Sequence, residues 1–201
     1  PTSWADIWKP EFKGRVGITN LNSTLGTGWL VEIARMRGGN EGNVEAAFKA
    51  IEELKPNLAA VAANPGALAT LYQQGQIDIG PGNFNAIQIL KARGVPVEFA
   101  TPKEGAIAFK TTVHVVKNSP TQELALKLID SMLAPEVQTK LMNAPYLIVP
   151  TNSKVKMGGE IAKVLAKDQD DLKKKFVFQN WKTINQNRSA WIEKFNRDIK
   201  L

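Results

Sequence analysis

The alternation of strand-like and helix-like segments between residues 15 and 100 constrains this chain more than any other feature. Arg15–Asn20 is a short apolar strand pattern, and Thr24–Arg37 reads as a helix stopped by Gly38-Gly39. Asn43 is a good N-cap for a second helix. The apolar residues of that helix (Val44, Ala47, Phe48, Ile51, Leu54) share one face, and Pro56 ends it. Leu58–Ala62 reads as a buried strand. Asn64-Pro65 opens a third helix with a cap and a first-turn proline, and Gly75 closes it. Gln76–Gly80 follows as a strand, Asn83–Arg93 as a helix and Val95–Ala100 as a strand. Strands separated by helices imply crossover connections, so this half predicts a compact α/β lobe built on a largely parallel sheet.

The second half has other proportions. Ile107–Phe109 and Thr112–Lys117 look extended. Ser119-Pro120-Thr121-Gln122 is a capping-box pattern that predicts a helix start, with Leu124, Leu128, Ile129, Met132 and Leu133 as its buried stripe. Ala134-Pro135-Glu136 restarts a helix, and Tyr146–Pro150 is a short extended piece. The remainder is mostly helical and ends in an amphipathic segment with Trp181, Ile184, Trp191, Ile192 and Phe195. Many helices and few strands suggest a sheet whose central strands are not in this chain.

Composition excludes several classes of function. The 201 residues hold no cysteine, which removes disulfides, thiol chemistry and cysteine-based zinc sites. No apolar run approaches the roughly eighteen residues of a membrane helix, and the first residues form no charged-then-apolar leader. The net charge of +7 lies entirely beyond residue 105. The basic residues there are interrupted by Asp168, Asp170, Asp171, Glu193 and Asp198 and accompany no nucleic-acid motif, so they read as a solvated surface and no nucleic-acid partner is expected. His114 is the single histidine and sits in the extended run Val113–Val116. No nucleophile elbow, Walker loop or His/Cys cluster is present. Asp168-Gln169-Asp170-Asp171 lacks the glycine and terminal glutamate of a calcium loop and reads as the acidic start of a helix. The chain is therefore expected to be no enzyme and to need no metal or cofactor.

Three separated stretches point to a family. They are Pro1–Trp8 (PTSWADIW) with Lys13–Ile18, then Pro102-Lys103-Glu104-Gly105, then Leu124–Leu141. In this order and spacing the chain resembles the polyamine (spermidine/putrescine) branch of the type II periplasmic solute-binding proteins of ABC transporters. The resemblance begins in the middle of the family pattern, which carries roughly a hundred residues before the first block. It implies one complete α/β lobe at residues 1–105 and a mostly helical returning segment at residues 106–201. That segment would belong to the opposite, N-terminal lobe, whose first part is absent. The chain would cross between lobes near residues 100–106, with Pro102 and Gly105 at the hinge. The expected partners are a small-molecule ligand, a membrane permease and the missing N-terminal segment, whether in the same protein or a separate chain, and the expected location is the periplasm.

Candidate ligand contacts fall in three loops and at two further positions. Asn20–Gly28 follows a strand and opens a helix, where free N–H groups and the helix dipole favour an anion. It offers Asn22, Ser23, Thr24, Gly26 and Thr27, and an ordinary N-cap with nothing bound is the alternative. Gly80–Asn85 is a second strand end running into a helix, with Asn83, Phe84 and Asn85. A tight turn is the alternative there. The resemblance implies that the first loop faces the ligand cleft, and it adds Phe109 and Thr111, Tyr146, and Lys182. Polyamine-binding relatives place an aspartate at the position of Thr111, and the first loop holds no acid either. A buried diammonium ligand needs paired carboxylates, so these departures favour a carboxylate- or phosphonate-bearing solute, such as a γ-amino acid or an aminophosphonate, over a polyamine. A sensor module on the same fold, or a ferric- or anion-binding relative, is the alternative. Iron would call on tyrosines, of which only Tyr72 and Tyr146 exist.

Overall fold

A computed structural model describes residues 1–199. The chain divides into two compact units. One joins Pro1–Ile107 to the residues from Val177 onward, and the other is Ala108–Phe176.

In the first unit, β1 (Val16–Thr19) pairs in parallel with β2 (Leu58–Ala62). Its other edge meets Ile79, whose carbonyl accepts from Gly17 N at 3.0 Å. All four β1 residues are buried, as befits a strand with neighbours on both edges. The helices are α1 (Thr24–Met36), α2 (Glu45–Leu54), α3 (Pro65–Gln73) and α4 (Phe84–Ala92), close to the boundaries that caps and breakers predict. Asn64 caps α3 by accepting from Ala67 N at 2.9 Å, and Gly75 ends that helix with φ of 65°. The expected strand at residues 76–80 exists only as the bridge at Ile79. The expected strand at 95–100 forms no ladder. Val95, Val97 and Phe99 instead lay alternate side chains on a small core of Leu25, Leu68, Tyr72, Ile77, Ile87 and Leu90.

The larger core lies between β1, α1 and α2. Trp29, Leu30, Ile33, Ile51 and Leu54 are almost fully buried there. The last helix, α8 (Trp181–Asp198), adds Ile184, Trp191 and Phe195 to this same core. Residues 106–201, expected as one body, divide: the chain returns to the first unit at Val177. Amphipathicity told that α8 has a buried face but not which surface meets it. Polar contacts hold the docking: Gln179 Nε2 donates to Gly28 O at 2.8 Å and to Glu32 Oε1 at 3.1 Å, and Lys194 reaches Glu45 at 2.6 Å.

Two of the separated stretches are joined physically. Ser3 caps the opening turn, with Asp6 completing the capping box. The Glu104 carboxylate accepts from Ser3 Oγ at 2.5 Å and from Trp4 N at 3.2 Å. Trp4 Nε1 donates to Gly105 O at 3.1 Å, and Lys103 N donates to Thr2 O at 2.8 Å. Burial works to raise the Glu104 pKa, but the hydrogen bonds from Ser3 and the backbone, with Lys103 nearby, outweigh it and hold the group below its ordinary value.

The second unit contains α5 (Gln122–Leu133), α6 (Pro135–Met142) and α7 (Gln169–Lys175), and its buried apolar residues include Met142, Leu147, Val155, Ile161, Leu165 and Leu172. Gln138 is buried and holds the segment after α6. Its Oε1 accepts from Thr151 N at 2.9 Å and Asn152 N at 2.8 Å, and its Nε2 donates to Thr151 Oγ1. Asp168 caps α7 through Asp171 N, as the acidic start predicts. Three expectations fail. The helix expected at Ser119 begins at Gln122, after Thr121, without a side-chain cap. The expected buried stripe of α5 is open: Leu124, Leu128 and Leu133 are 66%, 58% and 51% exposed, and α5 buries no residue. Thr112–Lys117 likewise joins no strand. An apolar helix face and an extended segment need an opposing surface and a pairing edge, and the described part of this unit supplies neither. Two-residue strands β3 (Ala106–Ile107) and β4 (Phe176–Val177) pair where the chain leaves and re-enters the first unit.

Candidate functional site

The turn after β1 is the best-built candidate. Ser23 Oγ caps α1 by accepting from Leu25 N at 3.2 Å. Gly26 is required by close approach, since a Cβ there would lie 2.2 Å from Asn20 O and 2.6 Å from Thr19 O. The turn therefore packs directly on the end of β1. Asn22 and Thr24 are exposed and Ser23 is half-buried, while Leu25 through Gly28 are enclosed. Gly26 and Thr27, expected as ligand contacts, thus build the loop from inside. The Thr27 hydroxyl is already committed, donating to Leu21 O at 2.8 Å and accepting from Arg188 Nε at 3.1 Å.

Arg188 is the residue that sequence reasoning missed. From α8 it spans the turn, with Nη2 donating to Asn22 O at 2.7 Å and Leu21 O at 3.2 Å. A signal was available. Trp181, Ile184, Arg188, Trp191 and Phe195 follow helical spacing, so an arginine stands in the middle of an apolar stripe. Two buried oxygens at the end of β1, Thr19 Oγ1 and Asn20 Oδ1, have no partner among the described residues.

The second loop lies at the head of α4. Phe84 is buried and meets Phe99 edge-on at 5.4 Å between ring centroids, so it is a packing residue and not an open wall. Asn85 is exposed, and its Oδ1 accepts from Ala86 N at 2.9 Å. Asn83 is half-buried and makes no side-chain cap. With Leu25, Leu68, Tyr72 and Ile87 it lines a small, mostly apolar recess. Tyr72 is no open metal ligand, because its hydroxyl donates to Gly80 O at 3.0 Å and burial pushes its pKa well up. Lys182, in the first turn of α8, is exposed. In the second unit Phe109, Thr111 and Tyr146 are all exposed. A recess of about 460 Å³ in that unit is lined by Ser153, Lys156, Lys167 and Asp170, among others, and includes none of the expected contacts. Among the described residues no His, Cys, Asp and Glu cluster could hold a metal.

A β-strand end feeding a capped helix, parallel crossovers, and a chain that leaves and re-enters the same α/β unit are features of a type II periplasmic binding protein. Solved structures agree. A crystal structure of an ABC transporter from Clostridium perfringens matches the whole chain and 63% of its own length, at 26% identity and a TM-score of 0.76. The spermidine/putrescine ABC transporter substrate-binding protein of Streptococcus pneumoniae matches 97% of the chain and 62% of its own length, at 19% identity and a TM-score of 0.66.

The chain belongs to the bacterial extracellular solute-binding protein family, whose pattern matches residues 1–187. The spermidine/putrescine-binding periplasmic protein of Escherichia coli is 32% identical over 142 residues, which is 68% of this chain and 39% of that protein. A periplasmic protein of Salmonella typhi whose name proposes 2-aminoethylphosphonate as its ligand is 24% identical over 147 residues, 70% of this chain and 42% of that protein. The chain thus spans about two-fifths of the length of these relatives, and the resemblance read from its three stretches holds.

Proposed function

We propose that this chain is part of the extracytoplasmic, periplasmic solute-binding component of an ABC importer, and that it captures a small solute without making or breaking bonds. The family and the names of its relatives support the class. A membrane permease is then the acceptor of the solute. The open α5 face of the second unit fits a further proposal, that it packs against a polypeptide segment corresponding to the unmatched length of the relatives.

The solute is one with a carboxylate or phosphonate, together with an amine, of the γ-amino acid or aminophosphonate kind. The observation that carries this reading is the turn Asn20–Thr24. It offers an exposed amide, a hydroxyl and a helix start, and holds no acid. A diammonium ligand would lose hydration there and gain no carboxylate in return, a net cost of several kcal/mol. Native mass spectrometry of the intact protein, followed by calorimetric titration, tests this. An anionic or zwitterionic solute is expected to co-purify or bind. Tight binding of putrescine or spermidine alone would overturn it.

A further inference from the structure

We propose that Arg188 sets the charge preference of the turn after β1, and so is a specificity-determining residue for an anionic solute. The inference deepens the reading above and rests on it.

The guanidinium is placed with little freedom. Ile184, one turn before it on α8, and Trp191, one turn after it, are buried in the first unit's core, so the backbone carrying Arg188 is fixed. Its Nε and Nη2 hold Thr27 Oγ1, Leu21 O and Asn22 O, all within 3.2 Å. Every one of these partners is neutral. Arg15, Arg35, Arg37 and Arg197 each pair with a carboxylate. Arg188 pairs with none among the described residues. Its positive charge is therefore not offset by a neighbouring carboxylate. Its half-buried position screens that charge less than open water would.

The charge lies directly behind Asn22, whose carbonyl it holds and whose side chain is exposed beside Ser23 and Thr24. An anion meeting those groups is attracted by the guanidinium, and a diamine is repelled. The buried Thr19 hydroxyl at the end of β1 adds a second, independent sign that this end of the strand is not self-sufficient. It lies 2.8 Å from where a Cβ of Gly26 would stand and has no partner among the described residues. Fork geometry matters as well as charge. Lysine at this position would keep the sign but could not hold two carbonyls and a hydroxyl in one plane.

The test is calorimetric titration of the intact protein with three probes: 2-aminoethylphosphonate, 4-aminobutyrate and putrescine. For R188Q, affinity for whichever anionic probe the wild type binds is expected to fall roughly 10-fold, the scale of losing one nearby, partly screened charge. Affinity for putrescine is expected to stay level or rise. R188K is expected to fall between wild type and R188Q, with the preference for the anionic probe retained. An equal loss for all probes in R188Q would make Arg188 a merely structural brace and overturn the proposal, as would an unchanged affinity for the anionic probe. If R188Q fails to fold, R188K decides: loss of the anion preference despite the retained charge overturns the proposal. A wild type that binds putrescine but neither anionic probe, or none of the three, sinks the functional reading itself. A wild type that binds an anionic probe indifferently to R188Q sinks only this inference.

Discussion

Replacing Phe195 by alanine measures how firmly α8 belongs to the first unit. Phe195 is 2% exposed and packs in the core with Ile184, Trp191 and the side chains of α1 and α2. Truncating such a phenylalanine removes most of a ring from a close-packed interior and leaves a cavity. The expected cost is about 3–5 kcal/mol, a large share of the roughly 5–15 kcal/mol that stabilises an ordinary domain. The midpoint of thermal unfolding, followed by tryptophan fluorescence, should drop by roughly 10–15 °C. Leu128→Ala on α5 is the matched control, since Leu128 is 58% exposed. Its cost in this chain should lie within about 0.5 kcal/mol. In a longer protein whose further residues cover α5, the same change should cost about 2–5 kcal/mol. A Phe195→Ala protein that melts within a degree or two of wild type would refute the placement of α8. Equal small effects of Leu128→Ala in the short and long proteins would refute the proposed covering of α5.

Glu32→Gln is expected to stabilise the protein at neutral and higher pH. The carboxyl group is buried and its pKa is raised above 4.5 chiefly by that burial, against the opposing effects of Gln179 and Arg35. The folded state therefore keeps a proton that the unfolded chain releases, so wild-type stability declines as pH climbs from the unfolded value towards the folded one. Urea melts at pH 4 and pH 8 should show an advantage of the variant that grows with pH, and an advantage confined to pH 4 would contradict the sign. Glu104→Ala should cost about 1.5 kcal/mol by releasing Ser3 and Trp4, and a double-mutant cycle with Ser3→Ala should give coupling of at least about 0.5 kcal/mol. Strict additivity would show that the contact contributes nothing. Ser23→Asp keeps a good helix cap but puts a negative charge on the turn, so affinity for an anionic solute should fall more than tenfold with little change in melting. Unchanged affinity in a titration would remove this turn from the site.

Local chemistry made the first half readable. The starts and stops of α1 to α4 depend on groups a few residues away, such as Asn64 on Ala67 and the positive φ of Gly75, and these are visible in the chain itself. Alternation at Val95, Val97 and Phe99 was legible too, but it reports which side chains are covered, not whether a neighbouring strand accepts the backbone. The same gap explains α5 and α8. Each has an apolar stripe, one left open and one buried in the first unit, and no pattern within either helix distinguishes the two cases. Of the candidate contacts, Asn22 and Thr24 are exposed while Thr27 and Phe84 are enclosed, because the turn is closed from behind by Arg188 and the head of α4 by Phe99.

The family stretches gain a physical meaning from their pairing. The opening block and the Pro102–Gly105 block are a hundred residues apart, yet Glu104 and Gly105 are bonded to Ser3 and Trp4. The α6 block is tied through Gln138 to Thr151 and Asn152. These blocks are therefore two halves of clasps, and neither half is satisfied alone. Ser3 without Glu104 is an ordinary cap, and Glu104 without Ser3 is a half-buried carboxylate with a desolvation cost. Separated motifs of this kind identify the fold because each needs its partner to offset its own burial. Ligand-contact positions carry no such mutual requirement. That is why the family is legible in the chain while the solute has to be argued from charge at a single turn.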